Sequence, residues 1–443
     1  MDFGTLQILL KEKQYNLLKE KLEKSHLVDI ADFINHLDAK DTLLVFRLLP
    51  KDMAAEVFSY LTPASQAQIS VEIKEKELYT ILEELRFDDK IDFLEEMPAN
   101  VVKKILLNSS ETERRLINQF LNYLEDSAGS IMTIEFVELK KEMKVQESLE
   151  IIRQTARNKE TIYTCYVTDA GRRLEGIVSL RELVAASPGQ SVADIMRREF
   201  ISAKTLDNKE YVASLIKKYD LLAIPVTDQE NRLVGIITVD DIVDVIDEEI
   251  TEDIHKMATV GKIDINLLDA SPLFMVKKRL PWLLVLIVVG FFAGSGIAVF
   301  EETIQAAIAL VFFLPLLIDS AGNAGSQSAA LMIRALAVGD VEIGDWFELF
   351  KKELAVSILL GLVMAAVAYP IGVSRGGPDV AVVVSLSMTA VVLVGSLIGM
   401  SLPFLLSRFK LDPALASAPL VTSITDVTGV LIYFFIASRY LGL

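Results

Sequence analysis

The sequence predicts a multidomain membrane protein. In order, it has an all-α N-terminal helical solenoid, an α/β pair of repeated modules, a long linker helix and a five-span α-helical transmembrane domain. Three observations carry this reading. Mean hydropathy over the 443 residues is +0.40, and the long apolar runs begin only after Lys277. The net charge of −17 is equally uneven: −16 over residues 1–276 and −1 over 277–443. Two stretches of the first part each recur once, at offsets of 48 and 59 residues, which marks two different repeated folds. The expected domains are 1–130, 131–250, 251–276 and 277–443.

The first repeat pairs "LDAKDTLLVFRLLPKDMAAEVF" (37–58) with "LRFDDKIDFLEEMPANVVKKIL" (85–106). Pro50 matches Pro98 and Asp41 matches Asp89, with apolar residues at helical spacing on both sides of each proline. Proline followed by such a pattern suits a helix start. The expectation is a small helical solenoid.

The second repeat pairs "YTCYVTDAGRRLEGIVSLREL" (163–183) with "LLAIPVTDQENRLVGIITVDDI" (221–242). Each has a β-rich run, a polar turn, a second strand containing Gly176 or Gly235, and a helix opening at Ser179 or Thr238. These motifs, G-I-V-S-L-R-E and G-I-I-T-V-D-D, resemble a tandem of cystathionine-β-synthase (CBS) domains, at about 131–187 and 195–250. Such modules often bind adenine nucleotides, and there the Ser/Thr and the acid touch ribose. The resemblance therefore implies Thr238 and Asp241, with Ser179 in the first repeat, as nucleotide residues and ATP as a ligand.

Next comes "TVDDIVDVIDEEITEDIHK", 238–256, in which Asp240, Asp244, Glu248 and Glu252 fall at i, i+4. Like charges at that spacing destabilise a helix. A divalent cation bridging the column to other acids would relieve the repulsion; a plain solvated face is the competing reading. So acidic a domain repels nucleic acid and attracts cations. The single cysteine, Cys165, precludes an intramolecular disulfide, and it lies in a strand-like run. The N-terminus lacks the charged and apolar regions of a signal peptide. There is no P-loop and no nucleophile–base set, so an enzyme is not expected.

Five apolar spans are expected, at about 281–300, 304–333, 354–373, 380–406 and 414–438, each long enough to cross a bilayer. The second is too long for one straight crossing, and Pro315 is the expected bend. Trp282 and Tyr433 to Phe435 lie near span ends, as interfacial aromatics do. With the N-terminus inside, the inner segments carry Lys277, Lys278, Arg279, Arg334, Lys351, Lys352, Arg408 and Lys410, and the outer ones only Arg375 and Arg439. That bias fits the positive-inside rule and puts the C-terminus outside.

Polar residues inside the spans point to function. The second span reads "LPLLIDSAGNAGSQSAALMIR", with Asp319, Ser320, Asn323, Ser326 and Gln327 among small residues. The fifth contains "SITDVTGV", with Asp426 near its middle. A carboxylate at that depth costs roughly 2.5–3.5 kcal/mol on insertion scales. No basic residue lies at membrane depth to pair with it, so Asp426 marks a candidate cation path. All three histidines, His26, His36 and His255, are upstream of the spans. Carboxylate, amide and carbonyl oxygens without imidazole or thiolate suit Mg²⁺, Ca²⁺ or Mn²⁺.

Helical repeat, CBS pair, acidic linker and five spans, in this order, resemble the MgtE family of magnesium channels over essentially the whole chain. The most specific stretches are "GNAGSQSAALMIRALAVGDV" (322–341) and "LDPALASAPLVTSITDVTGVLIYF" (411–434). The resemblance implies a homodimer in a bacterial-type plasma membrane, with one pore on its two-fold axis lined by spans 2 and 5. Asp426 would receive hydrated Mg²⁺, with Asn323 and Gly325 helping to line the path. Asp319 stands where a small residue is expected and would add negative charge. The family closes its pore when cytosolic Mg²⁺ is high. The acids implied by position are Asp88, Asp92, Glu210, Asp220, Asp241, Asp244, Glu249, Glu252, Asp253 and, at the pore mouth, Asp412. Residues 254–276 would form the plug helix. Two other readings compete: a proton- or sodium-coupled divalent-cation transporter using Asp426 as a relay, and a non-conducting membrane-anchored Mg²⁺ or nucleotide sensor.

Overall fold

A computed structural model describes residues 3–261, 263, 267 and 270–442. The chain divides into two compact units, Met1–Asp247 and Glu248–Leu443.

The first unit opens with ten helices, α1 (Phe3–Lys11) to α10 (Glu111–Phe120). The 48-residue repeat is a recurring helix pair: α4 (Ala39–Phe46) with α5 (Lys51–Ser59), then α8 (Phe87–Glu96) with α9 (Ala99–Asn108). Pro50 and Pro98 stand at the N-caps of α5 and α9, both at φ −56°, the angle the ring imposes anyway. Side-chain oxygens of Asp38 and Ser110 cap α4 and α10 by accepting from the backbone N–H three residues on. The apolar faces meet around Phe58, whose ring packs against Phe46 and Phe93 at centroid distances of 6.0 and 5.3 Å.

The same unit holds two three-stranded sheets. In the first, β1 (Val137–Leu139) runs parallel to β2 (Thr164–Thr168), and β2 antiparallel to β3 (Leu174–Ser179). The second repeats this with β4 (Ala203–Lys204), β5 (Ala223–Thr227) and β6 (Leu233–Thr238). The helices of the pair are α11 (Val145–Thr155), α12 (Leu180–Ala185), α13 (Val192–Ile195) and α14 (Lys209–Tyr219).

The repeated glycines have a packing cause. Ile177 of β3 bridges Arg197, and Ile236 of β6 bridges Thr133, so each sheet takes in a segment preceding the other repeat's first strand. A Cβ on Gly176 would stand 2.8 Å from the Arg197 carbonyl, and one on Gly235 2.8 Å from that of Thr133. Only glycine lets the backbones approach this closely.

Helix α15 (Val239–Met257) begins in the first unit and ends in the second. It does not continue through the linker expected at 251–276. The backbone turns at Thr259, φ 57°, and α16 (Pro272–Val299) starts afresh, capped by Ser271. Within that span, residues 262, 264–266, 268 and 269 lie outside the described residues. The i, i+4 acids that signalled a helix stop at Glu252, and nothing after them repeats at that period.

The second unit carries α16, α17 (Glu301–Ala306), α18 (Ala309–Val338), α19 (Trp346–Arg408) and α20 (Ala418–Leu441). Four of these are long and apolar enough to cross a membrane. The 63-residue α19 is interrupted at Gly377, whose φ of 83° and ψ of −179° are not helical, so it supplies two apolar segments, and five such segments stand among the described residues. Pro315 sits inside continuous α18, and the break falls at Ala307, between α17 and α18, without a Gly or Pro signal. Tyr433 is fully buried within the protein: its hydroxyl donates to the Leu310 carbonyl at 2.8 Å. Glycines set the core spacing here too: a Cβ on Gly325 of α18 would be 2.8 Å from the Gly395 carbonyl of α19.

Gly235→Ala should therefore lower the stability of the first unit by about 1–3 kcal/mol, the range for overpacking a close approach. Gly189→Ala, with open space around it, should leave stability unchanged. Thermal unfolding of the two variants side by side checks this.

Candidate cation path and acidic gate

The path begins with the face that α18 presents. Ala321, Gly322, Gly325 and Ser328 are buried against neighbouring helices, whereas Asp319, Asn323 and Gln327, at i, i+4 and i+8, are exposed on the other side. An all-polar stripe faces outward from a helix whose other exposed residues include Phe312, Leu316 and Leu331. Gly325 does not belong to this stripe; it serves the packing against α19.

Helix α20 runs antiparallel to α18. Ser326 Oγ lies 3.4 Å from the Ala418 carbonyl and 3.3 Å from Thr422 Oγ1, and further along Tyr433 reaches Leu310. That register brings Asp319 level with Asp426. The hydroxyls of α20 are already satisfied within the helix: those of Thr422, Ser423 and Thr428 donate to carbonyls four residues back. Asp426 differs, since its half-buried carboxylate has an oxygen, Oδ1, with no hydrogen-bond partner among the described residues.

A second acidic centre lies in the first unit, where α8 meets the start of α15. Asp88 and Asp89 stand in the first turn of α8, Asp92 one turn on, and Asp240 and Asp241 in the first turn of α15. Glu135 and Glu160 join them from the CBS pair. Burial and then Asp88 push Asp89 and Glu160 up to about 7, although Arg86 pairs with Glu160. Burial, with Asp88 adding to it, raises Asp241 to about 6 against the hydrogen bond it accepts from Thr238. Asp88 and Glu135 are raised by burial as well, and burial with Asp88 adding to it pushes Asp92 up to about 8. Asp88 Oδ1 and Glu160 Oε2 are buried without a hydrogen-bond partner.

Seven carboxylates thus crowd around one guanidinium, with orphaned oxygens pointing inward. The donor set is hard oxygen throughout, which fits Mg²⁺. Among the described residues no three acids, histidines or cysteines converge tightly enough to hold a bare ion. Mg²⁺ dehydrates reluctantly, and a hydrated ion needs no such convergence.

Of the acids named from sequence, Asp88, Asp92 and Asp241 come together here. Glu210 and Asp220 stand at the two ends of α14, roughly 15 Å apart at 1.5 Å per residue, so one ion does not bridge them within a protomer. Asp244, Glu249 and Asp253 follow along α15. Glu252 and Asp412 both bind Lys256, Asp412 at 2.6 Å. Sequence reasoning did not assign Asp89, Glu135, Glu160 or Lys256 to a site. Glu160 meets Arg86 across 74 residues and Lys256 meets Asp412 across 156, separations that leave no local signature.

The nucleotide candidates are held alike in the two repeats. Ser179 forms a capping box with Glu182, which Arg197 also holds at 2.7 Å. The hydroxyl and N–H of Thr238 donate to Asp241 Oδ2 at 2.6 and 3.4 Å, and Asp241 belongs to the acidic centre.

Known proteins place this geometry. The MgtE divalent cation transporter domain matches residues 314–436, the MgtE intracellular N domain 25–126, and CBS domains 128–189 and 192–248. A magnesium transporter MgtE of Thermus thermophilus is 40% identical over 98% of this chain and 97% of its own length. The chain belongs to the MgtE family of magnesium transporters. A Bacillus subtilis MgtE is 32% identical over 95% of this chain and 96% of its own. Among solved structures, the cytosolic domain of the Mg²⁺ channel MgtE in complex with ATP is 38% identical, with a TM-score of 0.52, covering 55% of this chain and 99% of that one. The soluble part of a magnesium transporter gives 33% and 0.51. MgtE proteins are membrane transporters, not a class of enzyme, and the apolar helices of the second unit accord with that.

The raised carboxylates have a sign that can be checked. Folded protein holds their protons more tightly than unfolded protein, so stability falls as pH rises between about 4, the ordinary carboxylate value, and about 7. In EDTA the first unit should melt lower at about pH 8 than at about pH 5.5. Millimolar Mg²⁺ should restore the midpoint mainly at the higher pH, as thermal scans with and without Mg²⁺ would record.

Proposed function

We propose that this chain forms a homodimeric Mg²⁺ channel that imports Mg²⁺ down the membrane potential and closes when Mg²⁺ binds its acidic gate. The observation that carries the reading is the outward stripe of Asp319, Asn323 and Gln327 level with the unpartnered Asp426. Polar groups at membrane depth need a partner or a wet cavity. A second copy set against this face would enclose both stripes around one aqueous path. Two Asp426 carboxylates would then face a hydrated ion, with Asn323 and Gln327 hydrogen-bonding its waters. Asp319 would add negative potential near the same level. Gly325 contributes by letting α18 lie close to α19.

The gate follows from the same electrostatics. Without Mg²⁺, Asp88, Asp89, Asp92, Asp240 and Asp241 repel one another and loosen the packing of α8 on α15. Hydrated Mg²⁺ among them neutralises the cluster and tightens it. Asp244, Glu249 and Asp253 extend this surface along α15, and Glu210 and Asp220 offer separate sites on α14. ATP, seen in a family member's cytosolic domain, would sit at the second CBS repeat. Asp241 would accept from the ribose there, with Thr238 beside it. The N-terminus and both acidic surfaces lie on the cytoplasmic side of the plasma membrane and the C-terminus outside, following the lysine and arginine bias.

Inward movement of two charges gains roughly 4.6 kcal/mol per 100 mV. Purified protein in liposomes with an internal Mg²⁺ dye should therefore take up Mg²⁺ under an inside-negative potential. Asp426→Asn should reduce that uptake at least about tenfold, because it removes charge at the point of greatest desolvation. Equal uptake by folded wild type and variant would remove Asp426 from the path. No uptake by correctly oriented wild type would leave the sensor reading standing.

A further inference from the structure

One acid pair expected to bind regulatory Mg²⁺ is held by the protein's own cation. Lys256 Nζ donates to Asp412 Oδ2 at 2.6 Å and pairs with Glu252 one turn back on α15. The three side chains are each about 30% exposed, so the group is partly withdrawn from water. Partial burial opposes the charge, yet the bonds to Asp412 and Glu252 hold the ammonium above the ordinary lysine range. Asp412 is fixed in turn, because its other oxygen accepts from Ala414 N–H at 2.8 Å at the start of the turn that leads into α20.

The neighbouring contacts make this a seat for the helix end. Met257 packs against a cluster formed by Ile333 of α18 with Ala414 and Ala416 before α20, against which Leu402 and Leu406 of α19 also pack. Directly after it, Thr259 takes φ 57°, a left-handed position that a β-branched residue rarely adopts, and Gly261 N–H bonds the Lys278 carbonyl of α16 at 3.1 Å. The apolar contact is non-directional; the ion pair fixes the rotation of α15.

We propose that Lys256 is a built-in latch cation, joining Glu252 to Asp412 so that the end of α15 stays seated on the C-terminal ends of α18 and α19 with no divalent ion bound. Mg²⁺ reaches Asp412 only by displacing this ammonium, so Lys256 sets the Mg²⁺ level at which that part of the gate responds. The inference deepens the gating reading above and rests on it for its link to conduction, but the latch has a readout of its own.

Full-length protein in nanodiscs with EDTA is compared by amide hydrogen exchange over residues 252–260. Lys256→Met should speed exchange there about tenfold, the scale of losing a charged hydrogen bond in a local opening. Lys256→Arg should keep the protection, and the swapped pair Lys256→Asp with Asp412→Lys should restore it. In excised patches without Mg²⁺, Lys256→Met should open more than wild type and close at several-fold lower Mg²⁺. Unchanged exchange in a folded Lys256→Met overturns the latch. A wild type that passes no Mg²⁺ while the exchange pattern holds would sink the channel reading and leave the latch in place.

Discussion

Carboxylates placed where too few protein bases can reach them are the constraint on which this chain depends. Two carboxylates about 5 Å apart at an effective dielectric near 20 repel by roughly 3 kcal/mol, more than an exposed ion pair returns. Around Asp88 the balance is seven acids against Arg86. At Asp426 the membrane segments offer no base at that depth. Neither arrangement is stable by itself, and a hydrated divalent cation is the simplest group that completes both. In the proposed channel the same physics would separate roles: at the path the ion would pass through, and at the gate it would stay and hold helices together.

The Lys256 pair shows a different solution to the same problem. There the chain supplies a tethered cation, and the acids are satisfied without metal. An ammonium is a compact point charge on a flexible stem and cannot occupy the centre of a carboxylate cluster as a hydrated ion does. It suits a two-acid contact at a helix end and would not serve the crowded set around Asp88. A gate with one metal-free contact and one metal-dependent cluster has two separable thresholds.

Much of this was legible in the sequence because it is periodic. The offsets of 48 and 59 residues gave the helix pairs and the two sheets, and Gly176 and Gly235 marked the close approaches. The polar residues of the second span stood out among small ones, and the structure then put Asp319, Asn323 and Gln327 on one exposed face. Pairing across long separations was not legible. Glu160 meets Arg86 across 74 residues, and Lys256 meets Asp412 across 156, with no local pattern to announce either. Helix ends were also misread: the linker stops at Met257 and the second span breaks at Ala307, places where no Gly or Pro gives warning. Asp412, Glu210 and Asp220 were named through resemblance alone; in the structure Asp412 is engaged by Lys256, and Glu210 and Asp220 stand at opposite ends of α14.

The central claim is that Mg²⁺ crosses alone, drawn by potential and received by carboxylate. The most direct test is the reversal potential of the purified protein in a planar bilayer, measured against Mg²⁺ gradients with and without a pH or sodium gradient. A passive Mg²⁺ path should shift by about 30 mV per tenfold Mg²⁺, as two charges per ion require, and ignore the other gradients. A reversal potential that moves with the proton or sodium gradient would contradict it and make Asp426 part of a coupled transporter.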